Sequence, residues 1–403
     1  MSYIPKIDEP IEAHDDSGGA LTCGVEIEFL VPSIPYDAQD PDPDIKDQHV
    51  YRSSRDESIL IMKDVREQLL ETLQEQLEEI PFRAMEDDDF YPPHDNVVIY
   101  DTWRLGCDPT VSKHGGLGLA EGPYHWTDCE LTSAVMGPDD YAQEIEDVCR
   151  ALKTIRIHLN KSTAVHVHVG CGDEAFSLLT LKKFTTLFWL TERAILELHH
   201  PSRHNNKYSF RLNKCSMLAN KSQATLEAEE RRSLNGVLNT IEEYVPEVGL
   251  SRLRHAQLRR IWACSSMEEV AGLMQGARDK VPQSRAASKR GSVGFQRFLP
   301  AGKTGGNIQT FEWRQMSGSV DANHIIQWVK ACIAFTDFCR LSDKATFKRL
   351  VENVIERGKK CTGIELLEAL DVDTQIFKGM LEVWSRDPSF CEDNRGRKLF
   401  VPK

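Results

Sequence analysis

Three short segments of this chain place polar residues two positions apart among strong β-formers, and this alternation limits how the segments can fold. They are Gly24-Val25-Glu26-Ile27-Glu28-Phe29, Ala164-Val165-His166-Val167-His168-Val169 and Thr310-Phe311-Glu312-Trp313-Arg314-Gln315. Successive side chains of a β-strand point to opposite faces, so each polar pair lies on one face and the apolar residues on the other. If the three strands are neighbours, one face of a sheet carries three carboxylates, two imidazoles and a guanidinium.

The spacing of these pairs suits a site that binds metal ions and phosphate. Same-face neighbours in a strand are roughly 6 to 7 Å apart, which lets two side chains serve adjacent metal ions. Glu26 and Glu28 repel each other on a half-buried strand unless a cation lies between them, and carboxylate oxygens suit Mg²⁺ or Mn²⁺. Each pair alone also fits a solvated strand face or an ordinary ion pair. One polyanion-binding wall explains all three pairs together, and it is our hypothesis for the site.

The other polar residues of these strands have more than one chemical interpretation. His166 and His168 are typical either of two ligands of one zinc ion, as in hydrolases with His-x-His at a strand end, or of one metal ligand and one phosphate contact. Glu312 suits a metal, and Arg314 suits a transferred phosphate because its planar donors match phosphoryl oxygens. Glu130, in Asp-Cys-Glu-Leu-Thr-Ser, offers a fourth carboxylate on a strand pattern.

Composition narrows the class of protein. The net charge of −13 is concentrated between Asp37 and Asp95, where 18 acidic and 6 basic residues leave a local balance of −12. This argues against nucleic acid or an anionic membrane as a partner, because no basic surplus exists to neutralise phosphates. No apolar run approaches the ~20 residues of a membrane span. The N-terminus lacks a signal-peptide pattern, and the 11 cysteines form no Cys-x-x-Cys pair, so we expect a cytoplasmic protein with reduced thiols.

Strand and helix patterns that do not strictly alternate predict an α+β fold. After a flexible tail at 1–20, we expect a first strand at about 21–31, closed by Pro32. Further strands are expected near 97–100, 126–131 and 163–169 and at the Glu-x-Arg segment. Helices are expected at about 56–80, at about 178–199, within 222–275, from Asp321 to about Cys339 and in the last 60 residues. Another helix should run from a cap at Asp139-Asp140 to about Leu159.

The order of these motifs resembles that of the glutamine synthetase and glutamate–cysteine ligase superfamily. The complete set of motifs resembles its amidoligase branch, the carboxylate–amine ligases. The resemblance covers about 21–330. Besides the three strands, the matching pieces are Asp108-Pro109-Thr110, Glu130-Leu131-Thr132-Ser133, Pro201-Ser202-Arg203 and the continuation through Gly318, Asp321 and Ile326 to Trp328-Val329.

The resemblance implies a fold and a domain organisation. It implies a glutamine synthetase-like curved antiparallel sheet packed with helices, in a catalytic domain at 21–340. Two insertions interrupt this domain, an acidic helical one at 37–95 and a helical one at about 215–285. A helical extension follows at 341–403. We expect the acidic insertion to be a surface elaboration or a subunit contact rather than part of the site.

The resemblance also implies roles for individual residues. Glu28 and Glu130 would hold one divalent ion, and Glu26, His166 and Glu312 another. His168 would lie near the nucleotide phosphates.

Two arginines complete the set implied by the resemblance. Arg314 would contact the γ-phosphate or an acyl phosphate, and Arg203 the acid substrate or the phosphate. A basic, Gly- and Ser-rich stretch at 285–303 is either a solvated loop or a flap that brings Arg290 or Arg297 onto ATP.

These roles imply an ATP- and Mg²⁺- (or Mn²⁺-) dependent ligase that joins a small, amino-acid-like carboxylate to an amine through an acyl phosphate. Its partners are therefore small molecules. A homo-oligomer is compatible with the sequence, since some relatives build rings, but nothing in the sequence specifies one. Three alternatives stay open: a phosphotransferase acting like a guanidino kinase, a zinc hydrolase using His-x-His, and a non-catalytic nucleotide-binding scaffold.

Overall fold

In the computed structural model of the protein, the strands with alternating polar and apolar residues form the centre. The structure describes residues 19–85, 100–112, 124–172, 174–206, 208–233, 241–247, 249–276, 291–299, 309–387 and 392–393. Within these ranges, ten strands join one sheet. The strands are Thr22–Pro35 (β1), Tyr51–Ser53 (β2), Phe82–Ala84 (β3), Trp103–Gly106 (β4), His125–Thr132 (β5), His158–Leu159 (β6), Ala164–Gly170 (β7), Val293–Gly294 (β8), Thr310–Ser317 (β9) and Glu392–Asp393 (β10).

The sheet has the order β3-β4-β5-β1-β7-β9-β8, with β2, β6 and β10 off this path. Its central pairs are antiparallel, and β1/β2 and β3/β4 are parallel. β1 therefore lies between β5 and β7, and β9 lies next to β7. The three polar-pair strands are therefore neighbours, as the hypothesis of one polyanion-binding wall requires.

Eleven α-helices lie in the described part of the chain, so the α+β prediction is confirmed, while the glutamine synthetase-like form of the sheet stays a prediction. The helices are Ser58–Gln76 (α1), Tyr141–Leu152 (α2), Leu178–Leu196 (α3), Leu212–Cys215 (α4), Gln223–Ser233 (α5), Arg252–Trp262 (α6), Met267–Met274 (α7), Ala322–Leu341 (α8), Lys344–Arg357 (α9), Gly363–Ala369 (α10) and Gln375–Arg386 (α11). The predicted helices within 222–275 and after 341 are thus present.

The apolar face of the sheet packs against helices. The odd-numbered residues of β1 from Cys23 to Ser33 are buried, and Ile27 and Phe29 are fully so. Phe184 of α3 stacks on Phe311 of β9 with ring centroids 3.7 Å apart and meets the Trp313 ring edge-on at 5.4 Å. Burial of such aromatic side chains stabilises the fold through the hydrophobic effect and fixes the opposite face of each strand as the polar one.

The acidic insertion is part of the sheet as well as of the surface. Its β2 pairs with the end of β1, and its β3 pairs with β4. Its helix α1 lies beside the edge of β5 that β4 leaves free, since β4 pairs only with residues 130–132. There the Arg66 Nε donates to the Asp128 carbonyl at 3.0 Å, and Nη2 lies 3.1 Å from the Asp128 carboxylate. The first half of this insertion therefore reaches the polar face.

Two predicted element ends are wrong. β1 does not stop at Pro32 but continues to Pro35; the β7 ladder has already ended at Ile27, so on that side the missing proline amide removes no ladder bond. The helix after Asp140 ends at Leu152 rather than near Leu159. Backbone hydrogen bonds between His49 and residues 154 and 156 draw the following segment away from helical geometry. Asp140 is the N-cap residue, but its side chain makes no capping hydrogen bond.

The cysteines agree with the expectation of reduced thiols. Ten of the eleven are described, all of them free, and nine of these are buried. Within the described residues, no helix is both long and apolar enough to cross a membrane.

Candidate active site

The polar pairs form rows across neighbouring strands. Glu28 of β1 lies opposite Glu130 of β5, and Glu26 lies between Thr132 and His166. Opposite residues in an antiparallel pair share a face, so each row points to the same side of the sheet.

One further row lies across β7 and β9, where His168 pairs with Glu312. All the paired residues predicted from the three strands therefore lie on one polar face.

A β-bulge shapes this face beside His166. Val165 pairs with Met316 but Val167 pairs with Trp313, so two residues of β9, Arg314 and Gln315, oppose His166 alone. Bulges of this kind bend a strand and re-aim its side chains, and they are frequent next to active sites. The bulge places the Arg314 side chain against the neighbouring carboxylates.

The first acidic group consists of Glu28, Asp108 and Glu130. One carboxylate oxygen from each residue lies within 4.8 Å of those from the other two. Asp108 reaches the group from the turn after β4, where its carboxylate accepts a 2.6 Å hydrogen bond from the Thr110 amide. Burial raises the pKa of Glu28 well above its usual value, and the nearby charges of Asp108 and Glu26 add to the effect. This group therefore concentrates negative charge that a cation would relieve.

The second group consists of Glu26, His168 and Glu312, whose ligand atoms also lie within 4.8 Å of one another. Glu26 Oε1 is 3.0 Å from His168 Nε2, and Glu26 Oε2 is 2.8 Å from His166 Nδ1. Burial tends to raise the pKa of Glu26, but the two imidazoles outweigh it and hold the pKa well below the usual value. Here the protein itself supplies the hydrogen-bonding partners of the carboxylate.

His166 lies between the two groups. Its Nε2 is 3.7 Å from Glu28, and its Nδ1 is 4.0 Å from Glu312. Burial lowers the pKa of His166, and the Arg314 charge lowers it further. The resemblance implied His166 as the histidine beside Glu26 and Glu312; the geometry brings His168 equally close and leaves His166 as a bridge.

Arg314 forms an ion pair with Glu312 through Nη2. Its Nε and Nη1 atoms are buried and have no hydrogen-bond partner among the described residues. Buried donors are nearly always satisfied in proteins, so the N–H groups of these two nitrogens fit an anionic ligand on the polar face. This geometry is compatible with the phosphate contact that the resemblance implied.

Arg203 lies beneath the bulge rather than on the open face. Its side chain is fully buried, and it donates to the carbonyl of Arg314 at 2.6 Å and of Gln315 at 3.3 Å. Burial lowers its pKa to about 10, while the Glu28 charge acts in the opposite direction. In this structure Arg203 holds the backbone that presents Arg314, and its Nη1 has no partner among the described residues.

The arginines of the basic stretch are placed only in part. Arg290 lies outside the described residues. Arg297 donates to the Tyr100 hydroxyl at 3.0 Å, and the Arg104 guanidinium lies 4.6 Å from the centre of the same ring. Arg104 is buried on β4 opposite Thr132, so it shares the polar face.

Sequence reasoning missed two functional candidates, Arg104 and Asp108. Asp108 stood in a matching motif without a role, and Arg104 alternates with apolar neighbours in a strand of only four residues. A strand this short carries too few alternations to be recognised by pattern alone.

The residues present fit divalent cations that prefer oxygen. The two groups together offer five carboxylates and one imidazole, and His166 lies between them. Such a donor set suits Mg²⁺ or Mn²⁺, whereas zinc sites in proteins draw mainly on sulfur and nitrogen ligands. The pKa of Glu28 is raised by burial and by the charge of Asp108 although Arg203 and Arg314 act in the opposite direction, whereas the imidazoles hold the pKa of Glu26 low.

A family model matches the first part of the chain. Residues 20–271 match a family described as "Putative amidoligase enzyme", which is more than half of the chain. The matched range includes β1, β5, β7 and Arg203, and it ends before β9. No curated protein and no solved structure matches the chain.

Proposed function

The chain belongs to the amidoligase family, and on that premise we propose that it is an ATP- and Mg²⁺-dependent carboxylate–amine ligase that forms an amide through an acyl phosphate. The family suggests a ligase-type enzyme. The cofactor, the intermediate and the amino-acid-like acid are our proposal.

One observation carries this proposal: one face holds two three-ligand groups and a buried arginine, two of whose nitrogens have no hydrogen-bond partner among the described residues. A carboxylate is a poor electrophile, and phosphorylation by ATP makes it reactive. The main barrier to phosphoryl transfer is repulsion among anions, which positioned cations relieve. Divalent ions bound at the two groups would supply that neutralisation.

The chain's own residues have separate roles in this proposal. Glu28, Asp108 and Glu130 would hold one ion, and Glu26, His168 and Glu312 the other, with His166 between them. Arg314 would bind the transferred phosphate through its two free donors. Arg203 would keep the bulge, and hence Arg314, in position.

The amide-forming step follows from the same arrangement. The amine nitrogen attacks the carbonyl carbon of the acyl phosphate, the C–N bond forms, and the C–O bond to phosphate breaks. Phosphate leaves with the bonding electrons. Of the two protons that the ammonium loses, one ends on phosphate and one in solvent. The products are therefore an amide, ADP and phosphate, whereas a kinase on the same face would release no free phosphate.

The first test is the free energy of unfolding with and without Mg²⁺ and a non-hydrolysable ATP analogue. At 100 times its Kd the ligand should add about 2.7 kcal/mol to wild type. Glu312→Ala should lose that gain. Glu67→Ala, on an exposed face of α1, should keep it.

Two results of this test would contradict the proposal. One is a folded wild type that ignores Mg²⁺–nucleotide and responds to Zn²⁺, which would favour a hydrolase. The other is nucleotide stabilisation that persists unchanged in Glu312→Ala, since the nucleotide would then bind elsewhere.

If binding is as proposed, a screen of acids with amines should release phosphate. Persistent binding without turnover across that screen would favour the scaffold alternative.

A further inference from the structure

A fully buried carboxylate in the helical layer joins two distant segments of the chain. Glu192 lies on α3 and has no exposed surface. Its Oε1 accepts hydrogen bonds from the Leu212 amide and the Ser292 hydroxyl, both at 2.5 Å, and its Oε2 accepts one from the Asn213 amide at 3.0 Å. Burial raises the pKa of Glu192, and these hydrogen bonds act in the opposite direction. Glu192 therefore fixes segments that lie 20 and 100 residues further along the chain.

Ser292 extends this connection to the edge of β9. Its carbonyl accepts a 2.9 Å hydrogen bond from the Arg314 amide, and its own amide donates to the Phe210 carbonyl at 2.7 Å. Ser292 is fully buried, so a shift of this residue would leave polar groups unsatisfied. One residue thus links the Glu192 carboxylate to the backbone of Arg314.

The same segment sets the space available to Glu312. Gly294 of β8 pairs with Glu312 of β9. A Cβ at Gly294 would lie 2.6 Å from Glu312 Oε2 and 3.2 Å from Glu312 Cβ, which is closer than ordinary van der Waals contact. The φ of Gly294 is not positive, so glycine is required here for space and not for backbone conformation. The Glu312 side chain therefore lies directly against the backbone of β8.

The backbone of Arg314 is held on both sides. Its amide donates to Ser292, and its carbonyl accepts from Arg203 Nη2 at 2.6 Å. The Arg314 side chain pairs with Glu312 through Nη2. Groups that bind a ligand act only when the surrounding residues hold them close to the productive geometry. The contacts that fix this backbone therefore also fix the phosphate-binding and metal-binding atoms assigned above.

We propose that Glu192 is a positioning residue for the Glu312–Arg314 pair, acting through the Ser292 hydroxyl and the segment 292–294. Glu192 itself contacts neither of the two acidic groups. This inference rests on the proposed ligase function, because it concerns the arginine and the carboxylate assigned there to phosphate and metal. It also gives the described start of the basic stretch a supporting role at the site.

The first test measures the Kd of the non-hydrolysable ATP analogue with Mg²⁺ by calorimetry, on full-length variants at a temperature where each is folded. Ser292→Ala removes the link to Glu192 and should raise the Kd roughly tenfold, because small displacements of binding groups weaken binding strongly. Glu192→Gln keeps the shape but removes the charge, so it should raise the Kd by less. The double variant should bind no more weakly than Ser292→Ala alone, since both changes act on one link.

Ser209→Ala is the matched control for Ser292→Ala. Ser209 is also buried, but its hydroxyl has no hydrogen-bond partner among the described residues. Its removal should leave the Kd unchanged.

A second pair of variants tests the contact with Glu312. Gly294→Ala should raise the Kd roughly tenfold, because the added methyl group displaces the Glu312 carboxylate. Gly272→Ala, on α7, adds the same methyl group where nothing lies within 4 Å and should leave the Kd unchanged. If Glu192→Gln does not fold, Ser292→Ala and Gly294→Ala decide the question.

Hydrogen exchange of the Arg314 amide, followed by NMR without any ligand, reports the link directly. It should be roughly tenfold faster in Ser292→Ala than in wild type and unchanged in Ser209→Ala, because only the first variant loosens the acceptor of this amide.

Three results overturn the positioning role and leave the ligase function standing. The first is nucleotide binding by wild type with a Kd that neither Ser292→Ala nor Gly294→Ala changes. The second is an equal rise in Kd in Ser209→Ala and Ser292→Ala. The third is unchanged exchange of the Arg314 amide in Ser292→Ala. A wild type that does not bind Mg²⁺–nucleotide overturns the ligase, and with it any positioning role in that reaction.

Discussion

The two carboxylate groups of the polar face differ in how their charge is balanced. Around Glu26, two imidazoles make close contacts, and Arg314 pairs with the neighbouring Glu312. Around Glu28, burial and the charge of Asp108 dominate, and the pKa lies on the opposite side of its usual value. Two glutamates two residues apart on one strand thus have opposite environments.

The difference indicates that the two carboxylate groups have different roles. The group around Glu26 is held together by its contacts with the two imidazoles and by the Arg314–Glu312 ion pair, so it can form before any ligand binds. The group around Glu28 stores repulsion that a bound cation would release. Free energy of cation binding should therefore be gained mainly at Glu28, Asp108 and Glu130.

The largest expected effect comes from removing the arginine that balances Glu312. Arg314→Ala should destabilise the protein by about 3–5 kcal/mol, because it leaves a buried carboxylate without its partner. Urea unfolding measures this. The double variant Glu312→Gln/Arg314→Met removes both charges and should lose much less. A loss of stability below about 1 kcal/mol for Arg314→Ala would show that the ion pair with Glu312 does not hold the group around Glu26 together.

Neutralising the two strand glutamates should give effects of opposite sign. Glu26→Gln should cost about 1.5–3 kcal/mol, because it weakens two charge-assisted hydrogen bonds. Glu28→Gln should stabilise the metal-free protein by about 1 kcal/mol, because it removes a disfavoured buried charge. Unfolding in excess EDTA measures both. Equal destabilisation by the two substitutions would refute the comparison.

Buried histidines in the helical layer avoid the cost of a buried charge in a third way, because their side chains stay neutral. Burial lowers the pKa of His324 to about 4, and its ring nitrogens have no hydrogen-bond partner among the described residues. Above pH 6.5 the ring is neutral in both states. As the pH falls from 6.5 to 4, the unfolded chain binds the proton first, so stability is lost by up to about 1.4 kcal/mol per pH unit.

His324→Phe should reduce the slope of stability against pH in this window. The variant keeps a ring beside Phe377 and Trp384. An unchanged slope between pH 6.5 and 4 would assign the acid sensitivity to other groups.

The smallest effect is expected at an exposed ion pair. Lys344 and Glu243 are 2.7 Å apart with side chains 49% and 41% exposed, so water already solvates both charges. Lys344→Ala should change stability by less than about 1 kcal/mol. Thermal unfolding of Lys344→Ala, compared with that of Arg314→Ala, tests this prediction. A comparable loss of stability in the two variants would mean that burial does not determine how much these ion pairs contribute to stability.

The sequence alone predicted that the polar side chains of each strand share a face, which follows from alternation along a strand and is a local property. That the three strands are neighbours was a hypothesis, and the sheet order decided it. The sequence also predicted most helices, whose patterns are long. It failed at Pro32 and beyond Leu152, where neighbouring strands and the hydrogen bonds of His49 decide where the element ends.

Only the tertiary structure decided the composition of the two groups. Asp108 enters through a turn, and Arg203 lies more than 100 residues from the bulge that it holds. The bulge itself sets which histidine bridges the groups, because one additional residue changes the register of β9 against β7. Which polar residues lie on one face is set by neighbours in the chain, whereas which of them meet depends on register and loops that no local pattern encodes.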